Sequence, residues 1–203
     1  MVTELILVRH GEIDANVKRL WHGTTDSDLT ELGSAQIAAL KESIHDKYPN
    51  ITKVYASPLK RTMKTAQAVA DGLSQKVVSF DPLIEYGIGE FEGTSYEDLD
   101  KVHDFFSRIA ADQDYALPGG ESVNGVSHRI KTGVQSLVAA HPGERIALVG
   151  HGAAFGIFIA GLLTGKPFPF FEHHLSNTGI AHLKIADLVE VVTFDDIEHL
   201  VNL

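Results

Sequence analysis

Four short apolar runs punctuate the chain, at residues 4–8 (ELILV), 53–56 (KVYA), 76–80 (KVVSF) and 145–149 (RIALV). They are rich in β-branched residues and have the length of buried strands. Between them the period of the apolar positions changes. Behind the cap-like Thr30, residues 30–47 carry Ile37, Leu40 and Ile44 on one helical face. Residues 59–73 repeat the pattern with Leu59, Met63, Ala66 and Ala70, and Gly72 falls near the end. Further helices are predicted over about 95–111, 121–140 and 152–164. Strand alternating with helix predicts an α/β three-layer sandwich, a mostly parallel central sheet with helices on both faces. The final segment, GIAHLKIADLVEVVTFDD, reads instead as two strands joined at Ala186-Asp187, a hairpin at the sheet's periphery. With no repeat or linker, 203 residues are expected to form one domain spanning 1–203.

Charge narrows the partners. Seventeen Lys and Arg against 27 Asp and Glu give a formal charge of −10, a field that repels nucleic acid and anionic membrane surfaces. A phosphorylated ligand must then be caught by a local cationic pocket. The absence of cysteine excludes disulfides, thiolate nucleophiles and thiolate-bound metals. The apolar stretch between His151 and Lys166, residues 152–165, is shorter than the ~20 residues that cross a bilayer. No signal peptide is visible, and a cytoplasmic protein is expected.

Open parallel sheets bind ligands beyond the carboxyl ends of their strands. Three predicted strands end there in chemically loaded turns: Arg9-His10-Gly11, Ser57-Pro58 just before Arg61, and Gly150-His151-Gly152. Arg9 and Arg61 offer planar forks of donors that match phosphate. Gly11 and Gly152 let the backbone approach a ligand closely. Nearby cations favour a neutral, nucleophilic imidazole, and with no cysteine present His10 is the strongest nucleophile candidate of the cluster. Glu85, Glu90 and Glu92 follow the third strand in a glycine-rich loop, and Glu85, nearest the strand end, is the candidate proton donor for a departing alkoxide. Taken singly, each of these is an ordinary turn or surface charge; their convergence on one rim is what points to a site.

The order of these motifs resembles the histidine phosphatase superfamily, also called the phosphoglycerate mutase-like family. The resemblance runs through RHGEIDAN (9–16), GTTDSDLTELGSAQ (23–36), YASPLKRTMKTA (55–66), LIEYGIGEFEG (83–93), PGGES (118–122), LVGHGAAF (148–155) and LSNTGIAHL (175–183). It implies a phosphoglycerate mutase-like fold. It also implies that His10 becomes phosphorylated, that Arg9, Arg61 and His151 hold the phosphoryl oxygens, and that Glu85 donates the proton. Only the resemblance makes His10, rather than His151, the nucleophile. The substrate-binding set it implies is Arg9, Gly11, Asn16, Gly23, Thr24, Arg61, Glu85, His151 and Gly152. Two departures are Gly150, where a serine often precedes the second histidine, and Phe91, where many relatives carry tryptophan.

The expected activity is hydrolysis of a small phosphorylated metabolite through a phosphohistidine, with a protonated His151 helping to balance charge. Phosphate is the product, and neither metal nor cofactor is required. A mutase is the alternative; relatives with that activity carry a longer, Arg-rich insertion where residues 94–127 here hold two basic residues against seven acidic ones. A non-catalytic module that binds phosphorylated ligands is the third reading. A homo-oligomer is compatible with all three. Among the eleven histidines no H-E-x-x-H pattern occurs, and His22, His128 and His174 are candidates to line the pocket. Trp21, Tyr86, Phe155 and Phe170 are weighed as an apolar wall against the commoner role of core.

Overall fold

The structure is a computed structural model and describes residues 1–71, 73 and 75–203. In chain order its elements are β1 (Thr3–Arg9), α1 (Asp14–Val17), α2 (Glu31–Lys47), β2 (Ile51–Ala56), α3 (Lys60–Ala70) and β3 (Val77–Ser79). They continue with α4 (Tyr96–Lys101), α5 (Phe105–Ala111), α6 (Val123–Ala140), β4 (Arg145–Gly150), α7 (Gly152–Thr164), β5 (Ile180–Ile185) and β6 (Val189–Asp196). The strands join in one sheet of order β3-β2-β4-β1-β5-β6. β3, β2, β4 and β1 are mutually parallel, whereas β5 runs antiparallel to β1 and β6 antiparallel to β5. The expected mostly parallel sheet and the peripheral hairpin are both present.

Alternation along the central strands feeds two cores. Leu5, Leu7, Ile146 and Leu148 face the core that also takes in residues of α4 to α7, and Ile6, Val8, Ala147 and Val149 face the core shared with α2 and α3. Helix α7 is apolar all round because residues 152–160 are buried, the pattern of a helix enclosed on every side.

Two helices depart from the periodicity. The segment read as one helix over 95–111 breaks between Lys101 and Phe105, where Asp104 adopts a left-handed φ of 51°. Asp tolerates this conformation better than most side chains, and the break lets Phe105 sink fully into the core while Phe106 packs at its margin. The helix read over 59–73 stops at Ala70, since Asp71 is extended and is tied to α2 through Lys41 and His45. Gly72 lies outside the described residues.

Thr30 caps α2, accepting from Gly33 N–H at 2.8 Å and donating to the Glu12 carboxylate at 2.8 Å. The cap presses α2 onto the turn after β1, so a Cβ at Gly33 would overlap the Glu12 carbonyl oxygen. Gly33→Ala therefore tests this contact. The helical preference for Ala is worth about 1 kcal/mol, but the overlapping atom is backbone and cannot rotate away. A net loss of about 2–3 kcal/mol is expected in urea unfolding; a raised midpoint would show that the turn is not held there.

Candidate active site

Because β1, β2 and β4 are parallel, their carboxyl ends deliver Arg9-His10, Ser57 and Gly150-His151 to one rim. A cavity of about 60 Å³ opens there, and its wall includes Arg9, His10, Asn16, Glu85, Gly152 and His174. Trp21, His22 and Tyr96 complete much of the remainder.

His10 is 3% exposed and its backbone is pinned: its N–H donates to the Gly150 carbonyl, and its carbonyl accepts from Asn177 Nδ2 at 3.0 Å. Its Nδ1 lies 2.8 Å from the Gly11 carbonyl oxygen. A carbonyl only accepts, so Nδ1 carries the proton and Nε2 keeps its lone pair. Burial, then the positive charges of Arg61 and Arg9, hold the imidazole well below its ordinary pKa. It is a neutral imidazole with a free basic nitrogen.

Arg9 is fixed by a 2.7 Å bond from Nη1 to the Leu175 carbonyl, while its buried Nε meets no acceptor among the described residues. The buried His22 Nδ1 and His174 Nε2 are likewise without partners there. Three orphaned nitrogens on side chains that line one cavity are costly in a native fold, and Arg9 adds a permanent positive charge. The wall is made for an anion.

Glu85 sits at the start of α7. Its carboxylate accepts from Ala153 N–H, Ala154 N–H and its neighbour Tyr86 N–H at 2.7–3.1 Å. Arg129 positions the loop by donating to the carbonyls of Pro82, Ile84 and Glu85 while pairing with Glu121 at 2.7 Å. Among the three glutamates of that loop only Glu85 lines the cavity. Glu90 is exposed, and Glu92 is spent on the N–H groups of Gly23, Thr24, Thr25 and Ile88.

Arg61 and His151 stand behind the wall rather than on it. Arg61 donates to the carbonyls of His22, Gly23 and Thr25, and its Nε lies 3.3 Å from His151 Nδ1. His151 Nδ1 is thus the acceptor, and Nε2 carries the proton toward Ser57 Oγ at 2.8 Å. Burial and the neighbouring charge of Arg61 push this imidazole far down as well. The expectation of a protonated His151 is corrected: it is neutral here, because a second cation beside Arg61 in a fully buried position is unfavourable. Its ring centroid is 5.2 Å from that of His10.

Gly11 and Gly23 use their N–H groups on Thr65 and Glu92, and neither they nor Thr24 lines the cavity. Asn16 does; its Oδ1 accepts from Ile13 and Asn177. His22 and His174 reach the wall, whereas His128 is exposed on α6 and does not. Of the four aromatics weighed as a wall, Trp21 lines the cavity and Tyr86, Phe155 and Phe170 are core.

The profile of the Histidine phosphatase superfamily (branch 1) matches residues 5–194. The chain belongs to the histidine phosphatase superfamily. It is 30% identical over 182 residues to a Hydrogenobacter thermophilus protein named "Putative phosphoserine phosphatase 2", with 88% of each chain covered. It is also 30% identical to "Phosphoglycerate mutase-like protein 4" of Arabidopsis thaliana, over 97% of this chain and 86% of the relative. Among solved structures, a His-to-Ala variant of phosphoserine phosphatase from Entamoeba histolytica in complex with phosphoserine superposes with a TM-score of 0.88. Identity there is 28%, over 98% of this chain and 100% of the other.

Histidine phosphatase motifs alone do not single out Arg129, Asn177 or Tyr96, nor the role of Glu92 in holding the N–H groups of residues 23–25. Arg129 shares α6 with Lys131 and His128, and nothing local marks it out, because its partners, Glu121 and the carbonyls of residues 82–85, come together only in the fold. Among the described residues no cluster of three or more His, Cys, Asp or Glu is arranged to hold a metal ion, and no helix is long and apolar enough to cross a membrane.

The buried imidazoles have a measurable consequence. His174 is pushed down to about 4, by burial first and then by Arg9. As pH falls through about 6.5 the unfolded chain protonates these histidines and the folded one does not, so stability is lost. The slope is about 1.4 kcal/mol per pH unit for each fully withheld proton. For His10, His151 and His174 together, about 4 kcal/mol per unit is the upper bound below pH 6, before most carboxylates titrate. Urea unfolding from pH 7.5 to 5 should show this decline, and a flat profile would contradict the neutral assignment.

Proposed function

We propose that the protein hydrolyses phosphomonoesters of small metabolites through a phosphohistidine at His10. The observation that carries the reading is the His10 imidazole, locked on Gly11 by its Nδ1–H with Nε2 free at a cavity shared with Arg9 and Glu85. In this reading Nε2 attacks phosphorus, forming the N–P bond as the bond to the alcohol oxygen breaks. Arg9 and Gly152 hold the phosphoryl oxygens, Asn16 adds a polar contact, and Arg61 and His151 act on the charge from behind His10. Protonated Glu85 gives its proton to the leaving alkoxide. As a carboxylate it then takes one from water, whose oxygen attacks phosphorus, breaks the N–P bond and releases inorganic phosphate. Gly11, Gly23 and Thr24 shape the site through their bonds to Thr65 and Glu92.

Residues 1–203 are proposed to act as one histidine phosphatase domain, a reading supported by the family match over 5–194. The substrate is a small phosphorylated molecule; relatives in complex with phosphoserine or 3-phosphoglyceric acid support this. The same reading has the protein in the cytoplasm, where such metabolites are made and used, and cell fractionation tests it. Mutase activity is the second reading, favoured by the name of the Arabidopsis relative. Against it, Lys101 in the 94–127 segment is already paired with Glu97 at 2.7 Å. Incubation with 3-phosphoglycerate and a bisphosphoglycerate primer separates the two. Free phosphate supports the hydrolase, and 2-phosphoglycerate without phosphate release supports the mutase.

A further inference from the structure

The inner cavity has room for a phosphoryl group, but its volume of about 60 Å³ is far below that of pockets enclosing a whole drug-sized ligand. The alcohol half of an ester must therefore lie elsewhere. A groove of about 900 Å³ adjoins the cavity and shares Tyr96 and His174 with it.

The groove is floored by rings. Tyr96 and Phe106 stack with their planes 6° apart and centroids at 6.5 Å. Phe106 meets Phe171 edge to face at 5.4 Å, and Phe171 meets His174 at 6.0 Å. A continuous aromatic strip thus runs from the cavity wall outward. Phe171 is 39% exposed, an apolar surface whose cover would be favourable. The break at Asp104 separates the roles of the adjacent rings: Phe105 is fully buried and Phe106 lines the groove. At the rim Lys101 is neutralised by Glu97, whereas Lys18 and Arg19 have no ion-pair partner among the described residues and share the rim with the single further carboxylate of Asp100. This leaves a slight positive bias at the entrance of a protein of charge −10, suited to admitting a phosphate dianion.

We propose that the groove seats the alcohol half of the substrate and selects phosphomonoesters whose alcohol carries a flat, ring-bearing apolar body, packed on Phe106 and Phe171. This rests on the hydrolase reading and narrows its substrate class. Ring faces offer dispersion and apolar contact to a flat body but few hydrogen bonds to a polyol. Tyr96 and His174 place that contact directly beside the phosphoryl group.

The test compares two esters of primary alcohols with similar intrinsic reactivity, 2-(2-naphthyl)ethyl phosphate and glycerol 3-phosphate. The wild-type kcat/KM is expected to be about tenfold higher for the naphthyl ester. Phe171→Ala should remove most of that advantage, lowering kcat/KM for the naphthyl ester at least about fivefold more than for glycerol 3-phosphate. Phe171→Trp should retain the advantage, and Phe106→Leu should reduce it. An unfolding midpoint close to that of the wild type is the control for folding. Equal wild-type rates, or equal losses on both esters in Phe171→Ala, would overturn the groove assignment alone. No phosphate release from either ester, with no phosphorylated protein, would overturn the hydrolase reading and the groove assignment together.

Discussion

His10→Ala is expected to lower kcat/KM for every phosphate ester by about four orders of magnitude or more. The substitution removes the imidazole that the β1 turn fixes at the cavity with Nδ1 committed to the Gly11 carbonyl, and no neighbour is held in that way. His151 has both nitrogens committed, to Arg61 and Ser57. His174 reaches the wall but lies on a separate loop, away from the β1 turn that fixes His10 through Gly150, Gly11 and Asn177. Anion binding should survive, because Arg9 keeps its Leu175 bond and its orphaned Nε. The variant should therefore bind vanadate or phosphate within a few-fold of wild type while failing to turn over. Turnover near the wild-type rate would remove His10 from the mechanism.

Glu85→Gln carries the second large effect, and its signature is dependence on the leaving group. For an alkyl ester such as phosphoserine, the departing alkoxide needs a proton, and kcat should fall by about 10²–10⁴-fold. For p-nitrophenyl phosphate the departing phenolate needs none, so phosphorylation of His10 should persist while hydrolysis of the phosphohistidine loses its base. The expected trace is a burst of about one equivalent of nitrophenolate followed by slow turnover. The amide also changes the hydrogen bonding, since three N–H groups now share Glu85's two oxygens. One of these N–H groups would lose its acceptor, at a cost of about 1–3 kcal/mol, so the lowered unfolding midpoint must be recorded beside the kinetics. Absence of the nitrophenolate burst, with phosphorylation of His10 slowed equally for both esters, would reassign Glu85 to a purely structural role.

What the sequence reveals here, and what it conceals, follows from how local each interaction is. Strand ends in a parallel sheet converge by geometry, so Arg9-His10, Ser57 and Gly150-His151 could be gathered at one rim from apolar runs alone. Thr30 announces the start of α2 because a cap and its helix are neighbours in the chain. The partners of Arg61 were hidden, since its bonds reach residues 22–25 and His151, far away in sequence. For the same reason the protonation of His151 was misjudged: a glycine-flanked imidazole carries no sign of the guanidinium that will lie against it. His128 lies two residues from the buried Val126 and Ile130, on the opposite face of α6, and so faces outward, a question of phase that composition does not settle. The break at Asp104 is not legible because the apolar period continues across it, while tertiary burial of Phe105 and the left-handed turn decide the path of the backbone. The groove belongs to the same class, for Tyr96, Phe106 and Phe171 come from three separate stretches of chain.

The most direct measurement is rapid acid-free quenching of the enzyme during turnover, followed by identification of the phosphorylated atom by mass spectrometry and phosphorus NMR. The Gly11 carbonyl claims Nδ1, so the phosphoryl group is expected on Nε2 of His10, stable to base and lost in acid. A phosphoryl group on Nδ1, on another residue, or on none at all while phosphate is being released would contradict the account.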